Sequence, residues 1–245
     1  MGLKSMNNKS FGKGPRRQSY YLLGKMARFV SLSLVERIAA TGLKPNDLTL
    51  ISFVFSIFAA LFYSFGSYHG NIAAMLCYWA FFIVDHMDGD LARYLGMESV
   101  TGQIKDHVYG KLTIILVYLG ISAGLARTHD PAPIWFTAFM LMAGLLGSQS
   151  LLSKRKMIVM EKNIAGHKFD LKKQFSPSDS LPRILFKEVT ALHMATIYLI
   201  LVGSIFNKLY FALVLTAGYV WLYYFYQISA SISYFKRVDK QEIGA

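Results

Sequence analysis

Apolar residues in this chain gather into six long runs, from Leu48 to Gly66, Ile72 to Leu95, Gly102 to Ala126, Pro133 to Ser153, Val189 to Phe206 and Leu209 to Tyr234. Each is close to or above the roughly 20 residues that an α-helix needs to cross a hydrocarbon core. Lipid offers the backbone no hydrogen-bond partner, so a continuous spanning run must be helical. The expected fold is therefore all-α: a polytopic membrane protein with six transmembrane helices in one domain, residues 43–235. Residues 20–42 carry a different pattern. Tyr21, Leu22, Met26, Phe29, Val30, Leu34 and Ile38 recur every three or four positions, with Lys25, Arg28, Glu36 and Arg37 on the other side. That is the pattern of an N-terminal amphipathic helix lying in the membrane interface. Thr41-Gly42-Leu43-Lys44-Pro45 breaks it, and Asn46 or Asp47 is the expected cap of the first span.

Composition agrees with this reading. Of 245 residues, 54% are hydrophobic and 16% charged, too apolar a balance for a soluble domain of this length. Residues 1–19 are rich in Lys, Arg, Asn, Ser and Gly and form a mobile basic tail. More than forty residues precede the first span, so it is not expected to be a cleavable signal peptide. Residues 236–245 form a second tail. Charge sets the orientation: of 26 basic residues, 24 fall before the first span, around the second turn, in the fourth loop or after the sixth span, and only Arg127 and Lys208 lie on the alternate side. By the positive-inside rule both termini, the second turn and the fourth loop face the cytoplasm. The net charge of +12 then reads as contact with anionic membrane lipids rather than with nucleic acid. The one cysteine, Cys77, lies in the second span and reads as a small buried apolar residue.

The fourth loop opens on Lys154-Arg155-Lys156 and runs through Lys172-Lys173 to Ser176-Pro177-Ser178-Asp179-Ser180, a cytoplasmic loop or a helical extension. Gly120 and Gly124 in the third span, and Gly144 and Gly147 in the fourth, permit close helix contact within the bundle or dimerisation.

The acidic residues break the apolar pattern. Asp85, Asp88 and Asp106 sit at the end of the second run and the start of the third, where a carboxylate is costly without a counterpart. If the two runs form an antiparallel pair with its turn near Met97, Asp88 and Asp106 are each nine residues from that centre. Both then lie roughly 10 Å or somewhat more below the turn. Asp85 and Gly110 share a second level, twelve and thirteen residues away. The i, i+3 pair Asp85 and Asp88, and the i, i+4 pair Asp106 and Gly110, each occupy one helix face. The result is a four-cornered site with one corner empty. Facing oxygen ligands suit a hard divalent ion, Mg2+ or Mn2+, which also binds substrate phosphates; a proton relay could use the same carboxylates. Gly89 and Ala92 leave room beside the acids, and Arg93 serves either as a phosphate partner or as a topology anchor. Asp90 lies about 200° around the helix from Asp88 and points away, solvated or paired. His86 and His107 read as packing or supporting groups.

The spacing Asp85-x2-Asp88-Gly89-x2-Ala92-Arg93-x8-Gly102-x3-Asp106 resembles the defining motif of the CDP-alcohol phosphotransferases. These membrane enzymes make phospholipids by displacing CMP from a CDP-linked donor. Pro45-Asn46-x2-Thr49 resembles the start of the first span in that family, whose architecture is six spans after a juxtamembrane helix. The resemblance implies a transferase with a cytoplasm-facing cavity, in which Asp85, Asp88 and Asp106 hold a Mg2+ or Mn2+ pair against the CDP pyrophosphate. Asn46, Thr49, Asp88, Gly89, Ala92, Arg93 and Gly102 would bind the nucleotide, with Asp106 and Arg93 acting in catalysis. Arg155 would help to receive an anionic alcohol acceptor. The family also implies a homodimer.

The chain departs from the motif at Gly110, where the family has a fourth acid that is both a metal ligand and the general base. Glycine can do neither, and loss of general-base help is worth about 10² to 10⁴ in rate. The sequence therefore leaves open an enzyme with another base (Asp90, His107 or the acceptor's own phosphate), a binding-only member of the family, and a specialised site that works with fewer ligands.

Overall fold

In the computed structural model, which describes residues 22–161 and 192–243, the regular elements are α-helices. They are α1 (Leu22–Ala40), α2 (Pro45–Ser64), α3 (Tyr68–Leu95), α4 (Val100–Leu125), α5 (Pro131–Glu161), α6 (Leu192–Ile205) and α7 (Leu209–Ile243). The chain divides after Thr128 into two compact units. The basic tail of residues 1–19, the fourth loop beyond Glu161 and the start of the expected fifth span lie outside the described residues.

Four helices are long and apolar enough to cross a membrane by length and composition: Pro45–Ser64, Val100–Leu125, Pro131–Val159 and Leu209–Lys236. The chain is thus an all-α, polytopic membrane protein, with four such helices among the described residues where six runs were expected. The difference lies in α3 and α6. Asp85, His86, Asp88, Asp90 and Arg93 make the second half of the 28-residue α3 polar. Only 14 residues of α6 are described.

In the first unit, α2 begins one residue before the expected cap. Lys44 precedes the helix, Pro45 occupies its first turn, and Asp47 Oδ2 accepts the Lys44 backbone N–H at 2.9 Å. Asp47 thus binds back from the third helical position. Ser67 starts α3 and Ser99 starts α4, their hydroxyls accepting the N–H groups of Gly70 at 3.1 Å and Gly102 at 3.0 Å. Between them Gly96 ends α3 in the left-handed region, at φ 66°, which glycine adopts without a Cβ penalty. The acids therefore sit on a tight helical hairpin. Helices α2 and α4 approach closely because Gly120 faces the Ala60 backbone and Gly124 faces Tyr63 and Gly66; a Cβ at either glycine would collide with backbone atoms.

Helix α1 packs on α3 by an unexpected face. Leu23, Ala27, Ser31 and Val35, four residues apart, are buried, whereas Met26 and Phe29 are 51% and 61% exposed. Small side chains at 27 and 31 let two helix backbones come near each other, which larger residues would prevent. The apolar strip of Met26, Phe29 and Leu32 is left on the outside beside the exposed Lys25, Glu36 and Arg37. Val35 joins Leu48, Met87 and Leu91 in a small core, flanked by Ile38, Leu43, Ile83 and Val84, that locks α1, α2 and α3 together.

In the second unit, α5 and α7 meet through Gly144 against Val220 and Trp221, and through Gly147 against Tyr224. Trp221 Nε1 donates to the Met140 carbonyl at 3.0 Å, and Ser148 Oγ donates to Gln227 Oε1 at 2.8 Å. The four glycines singled out by sequence thus serve helix packing within the chain. Helix α5 continues past the apolar run to Glu161, so the start of the fourth loop is a helical extension.

Candidate metal centre

The turn at Gly96 to Ser99 folds α3 and α4 back on each other, and its effect is to bring three carboxylates together. One oxygen from each of Asp85, Asp88 and Asp106 lies within 4.8 Å of the other two. Asp88 is buried, Asp85 half-buried and Asp106 exposed, so the cluster spans from the packed interior to an open edge. Three carboxylates this close repel one another unless a cation stands among them. Mg2+ holds oxygens at about 2.0–2.1 Å, which places opposed ligands about 4.2 Å apart. Separations within 4.8 Å reach that geometry by small side-chain rotations, so the donor set fits a hard divalent ion.

Helix α2 supplies the support. Thr49, one turn into α2, donates its hydroxyl to Asp88 Oδ2 at 2.6 Å, fixing the buried acid from behind as an outer partner fixes a metal ligand. Asn46, on the same turn, faces the start of α4: its Oδ1 lies 3.8 Å from the point where a Gly102 Cβ would stand. The structure therefore gathers Asn46, Thr49, Asp85, Asp88, Gly102 and Asp106 at one end of the α2, α3 and α4 group. At Gly110 a Cβ would meet nothing within 4 Å. The empty corner is open space.

Arg93 and Asp90 make a second arrangement on α3. Arg93 Nη2 donates to Asp90 Oδ1 at 2.6 Å, and the guanidinium lies back over Gly89, 3.4 Å from where a Cβ would be. Part of the room at Gly89 is thus taken by Arg93. Asp90 points away from the acids as its position on the helix requires, but it is buried against α1 rather than solvated: Ser31 Oγ donates to Oδ2 at 2.7 Å, and Arg28 stands 3.6 Å from Oδ1. This enclosure removes Asp90 as a replacement base. The sequence pattern did not reveal the partnership of Ser31 and Arg28 with Asp90, because nothing in the spacing of α1 pairs Ser31 with a residue 59 positions later or Arg28 with the same distant acid.

His86 turns from the cluster, its Nδ1 bonded to the Phe82 carbonyl at 2.9 Å and its ring 4.5 Å from that of Phe82, while His107 is exposed beside Asp106. Ala92 is half-buried one turn after Asp88. Arg155 belongs to the second unit, where it is buried near the end of α5, within electrostatic reach of Tyr223, Tyr226 and Tyr234 on α7.

The family model described as CDP-alcohol phosphatidyltransferase matches residues 43–225, a stretch that contains the whole hairpin. The chain belongs to the CDP-alcohol phosphatidyltransferase family. A solved structure from this field has the same fold: the Mycobacterium tuberculosis phosphatidylinositol phosphate synthase with CDP-DAG bound. It superposes with a TM-score of 0.56 at 15% identity, over 86% of this chain and 93% of that one. No curated protein matches the chain. The matched residues 43–225 of this CDP-alcohol phosphatidyltransferase include the three-acid cluster and its Thr49 brace.

Proposed function

We propose that the protein transfers a phosphatidyl or phospho-alcohol group from a CDP-linked donor to the hydroxyl of an alcohol acceptor, releasing CMP, in phospholipid synthesis. The observation that carries this reading is the convergence of Asp85, Asp88 and Asp106 within 4.8 Å in a chain of this family. These acids would hold Mg2+ or Mn2+, with Thr49 fixing Asp88. When bound, the metal stabilises charge developing on the phosphate and on departing CMP. Asn46, Gly89, Ala92 and Gly102 line the nucleotide, Arg93 offsets negative charge on its pyrophosphate, and Arg155 receives an anionic acceptor. With glycine at position 110 and Asp90 enclosed by Ser31, Arg28 and Arg93, the acceptor proton passes to the exposed His107 or to the acceptor's own phosphate.

The same reading includes six spans, with the runs Ile72 to Leu95 and Val189 to Phe206 as the remaining two. Helix α1 lies at the interface with Met26, Phe29 and Leu32 toward lipid, both termini and the site face the cytoplasm, and the protein is a homodimer. Labelling of single cysteines placed at Lys25 and Lys208 in sealed vesicles tests sidedness, and crosslinking in membranes tests the dimer. CMP release by purified protein with Mn2+ and a panel of CDP donors, CDP-diacylglycerol among them, tests the activity; silence across the panel beside a working homologue rejects it.

Gly110 favours a second reading, a non-catalytic member that binds nucleotide, metal or lipid. Gly110→Asp separates the two. A rise from near-zero turnover by about the 10² to 10⁴ that a general base supplies marks a degenerate site, and unchanged or lowered turnover marks a site adapted to glycine.

A further inference from the structure

Among the described charged residues, Asp90 is the most enclosed, at 1% exposure, and the proposed reaction makes no use of it. A buried carboxylate is tolerated when it is paired and hydrogen-bonded. Asp90 has partners on two helices: Ser31 Oγ at 2.7 Å and Arg28 Nη2 at 3.6 Å from α1, and Arg93 Nη2 at 2.6 Å from its own helix. The asymmetry among these lies in Arg93. Its guanidinium carries five N–H groups, and its one hydrogen bond among the described residues goes to Asp90, with Nε buried and unpartnered. That single bond holds the guanidinium over Gly89, the residue next to Asp88, with Nη1 and Nη2 both within 3.5 Å of where a Gly89 Cβ would stand. Helix α1 is itself fixed on α3 by Val35 packed with Met87 and Leu91, so the Ser31 hydroxyl is a rigid stop for Asp90.

We infer that Asp90, locked by Ser31 and Arg28 of the juxtamembrane helix, is the positioning residue that presents Arg93 to an anionic phosphate beside Asp88. Its single hydrogen bond leaves Nη1 and the second Nη2 N–H for a ligand, and a freely rotating Arg93 would lose that orientation. This inference rests on the reading that Arg93 meets the donor pyrophosphate. It makes α1 part of the binding site through a chain of contacts rather than by touching substrate.

The test uses the full-length protein in detergent, with CDP as the probe in the presence of Mn2+ and with Mn2+ alone as a second probe. Asp90→Asn keeps the shape and an acceptor for Ser31 but removes the charge that holds Arg93. It is expected to weaken CDP binding about tenfold, the scale of one charge-assisted hydrogen bond, with Mn2+ affinity unchanged. For a turnover substrate, KM rises while kcat holds. Ser31→Ala is expected to shift CDP binding in the same direction by less, and Asp90→Glu to recover part of the loss. Equal CDP affinity in wild type and folded Asp90→Asn overturns the inference, as does joint loss of Mn2+ and CDP binding, which marks a merely structural role. If Asp90→Asn does not fold, Ser31→Ala and Arg28→Met decide it: weaker CDP binding with intact Mn2+ binding supports the inference, and unchanged CDP affinity in both overturns it. Wild-type protein that binds Mn2+ but not CDP overturns the transfer reading and this inference with it, whereas wild-type CDP binding that the variants leave unchanged overturns this inference alone.

Discussion

The Thr49 hydroxyl donates to Asp88 Oδ2 at 2.6 Å across 39 residues of sequence, so the first turn of α2 directly sets the orientation of a buried acid on α3. A side chain that orients a metal ligand is worth about 10- to 100-fold in affinity. Thr49→Val keeps the volume and removes the donor, and it is expected to weaken Mn2+ binding by about that factor. Thr49→Ser is expected to retain it. Titration of free Mn2+ by electron paramagnetic resonance reads both, and equal affinity in Thr49→Val and wild type would show that Asp88 needs no brace.

At Gly110 the absence of any atom within 4 Å of an added Cβ means that Gly110→Asp enters open space on α4. The variant is expected to fold, because a non-glycine residue is favoured by up to about 1 kcal/mol in a helix interior. The new carboxylate stands on the face of Asp106 one turn on. Mn2+ affinity or stoichiometry is therefore expected to rise, as measured by calorimetry. A fall in both would mean that the added acid repels rather than completes the cluster.

The hairpin itself was legible in sequence. Helical spacing alone puts Asp85 with Asp88, and the depth of each acid below the turn follows from counting outward from Met97. Rotation about α3 was legible too, since Asp90 leaves the cluster as its 200° offset from Asp88 requires. Its destination was not. Periodicity marked residues 20–40 as a helix but not the face it would bury, because Met26 and Phe29 outweigh Ala27 and Ser31 in hydrophobicity. The buried face is chosen by how near α1 can come to α3, a property of two helices together. For the same reason a hydropathy reading counted α3 as a span while its own acids and histidine lower its apolar character. Asn46 and Asp47 looked like caps, yet Pro45 already has the φ of a first helical residue and α2 starts there.

Small residues were read correctly as packing sites, and their partners now give a graded prediction. A Cβ at Gly120 would run into the Ala60 carbonyl, whereas one at Gly218 meets nothing within 4 Å. Gly120→Val is expected to destabilise by about 1–3 kcal/mol or more through overpacking, and Gly218→Ala to stabilise by up to about 1 kcal/mol. Because α2 carries Thr49 and α4 carries Asp106, forcing the two helices apart should also lower Mn2+ affinity in Gly120→Val. Thermal unfolding in detergent together with Mn2+ titration checks the pair. Unaltered stability in Gly120→Val would mean that α2 and α4 do not meet at Ala60.

In the second unit, stability is expected to depend on a polar contact inside an apolar interface. Ser148 and Gln227 are 0% and 4% exposed and are joined by a 2.8 Å hydrogen bond between α5 and α7. Interhelical hydrogen bonds in membranes contribute about 0.6 kcal/mol on average and up to about 1.7. Removing one partner strands the other, so Ser148→Ala and Gln227→Leu are each expected to cost at least that much. The double variant strands neither, and residues in direct contact do not add. Its loss should therefore be smaller than the sum of the two single losses. Equilibrium unfolding of the four proteins in mixed micelles measures the coupling. Strict additivity would mean that each residue makes its own bond elsewhere and that the α5 and α7 contact is held by Gly144, Gly147 and Trp221 alone.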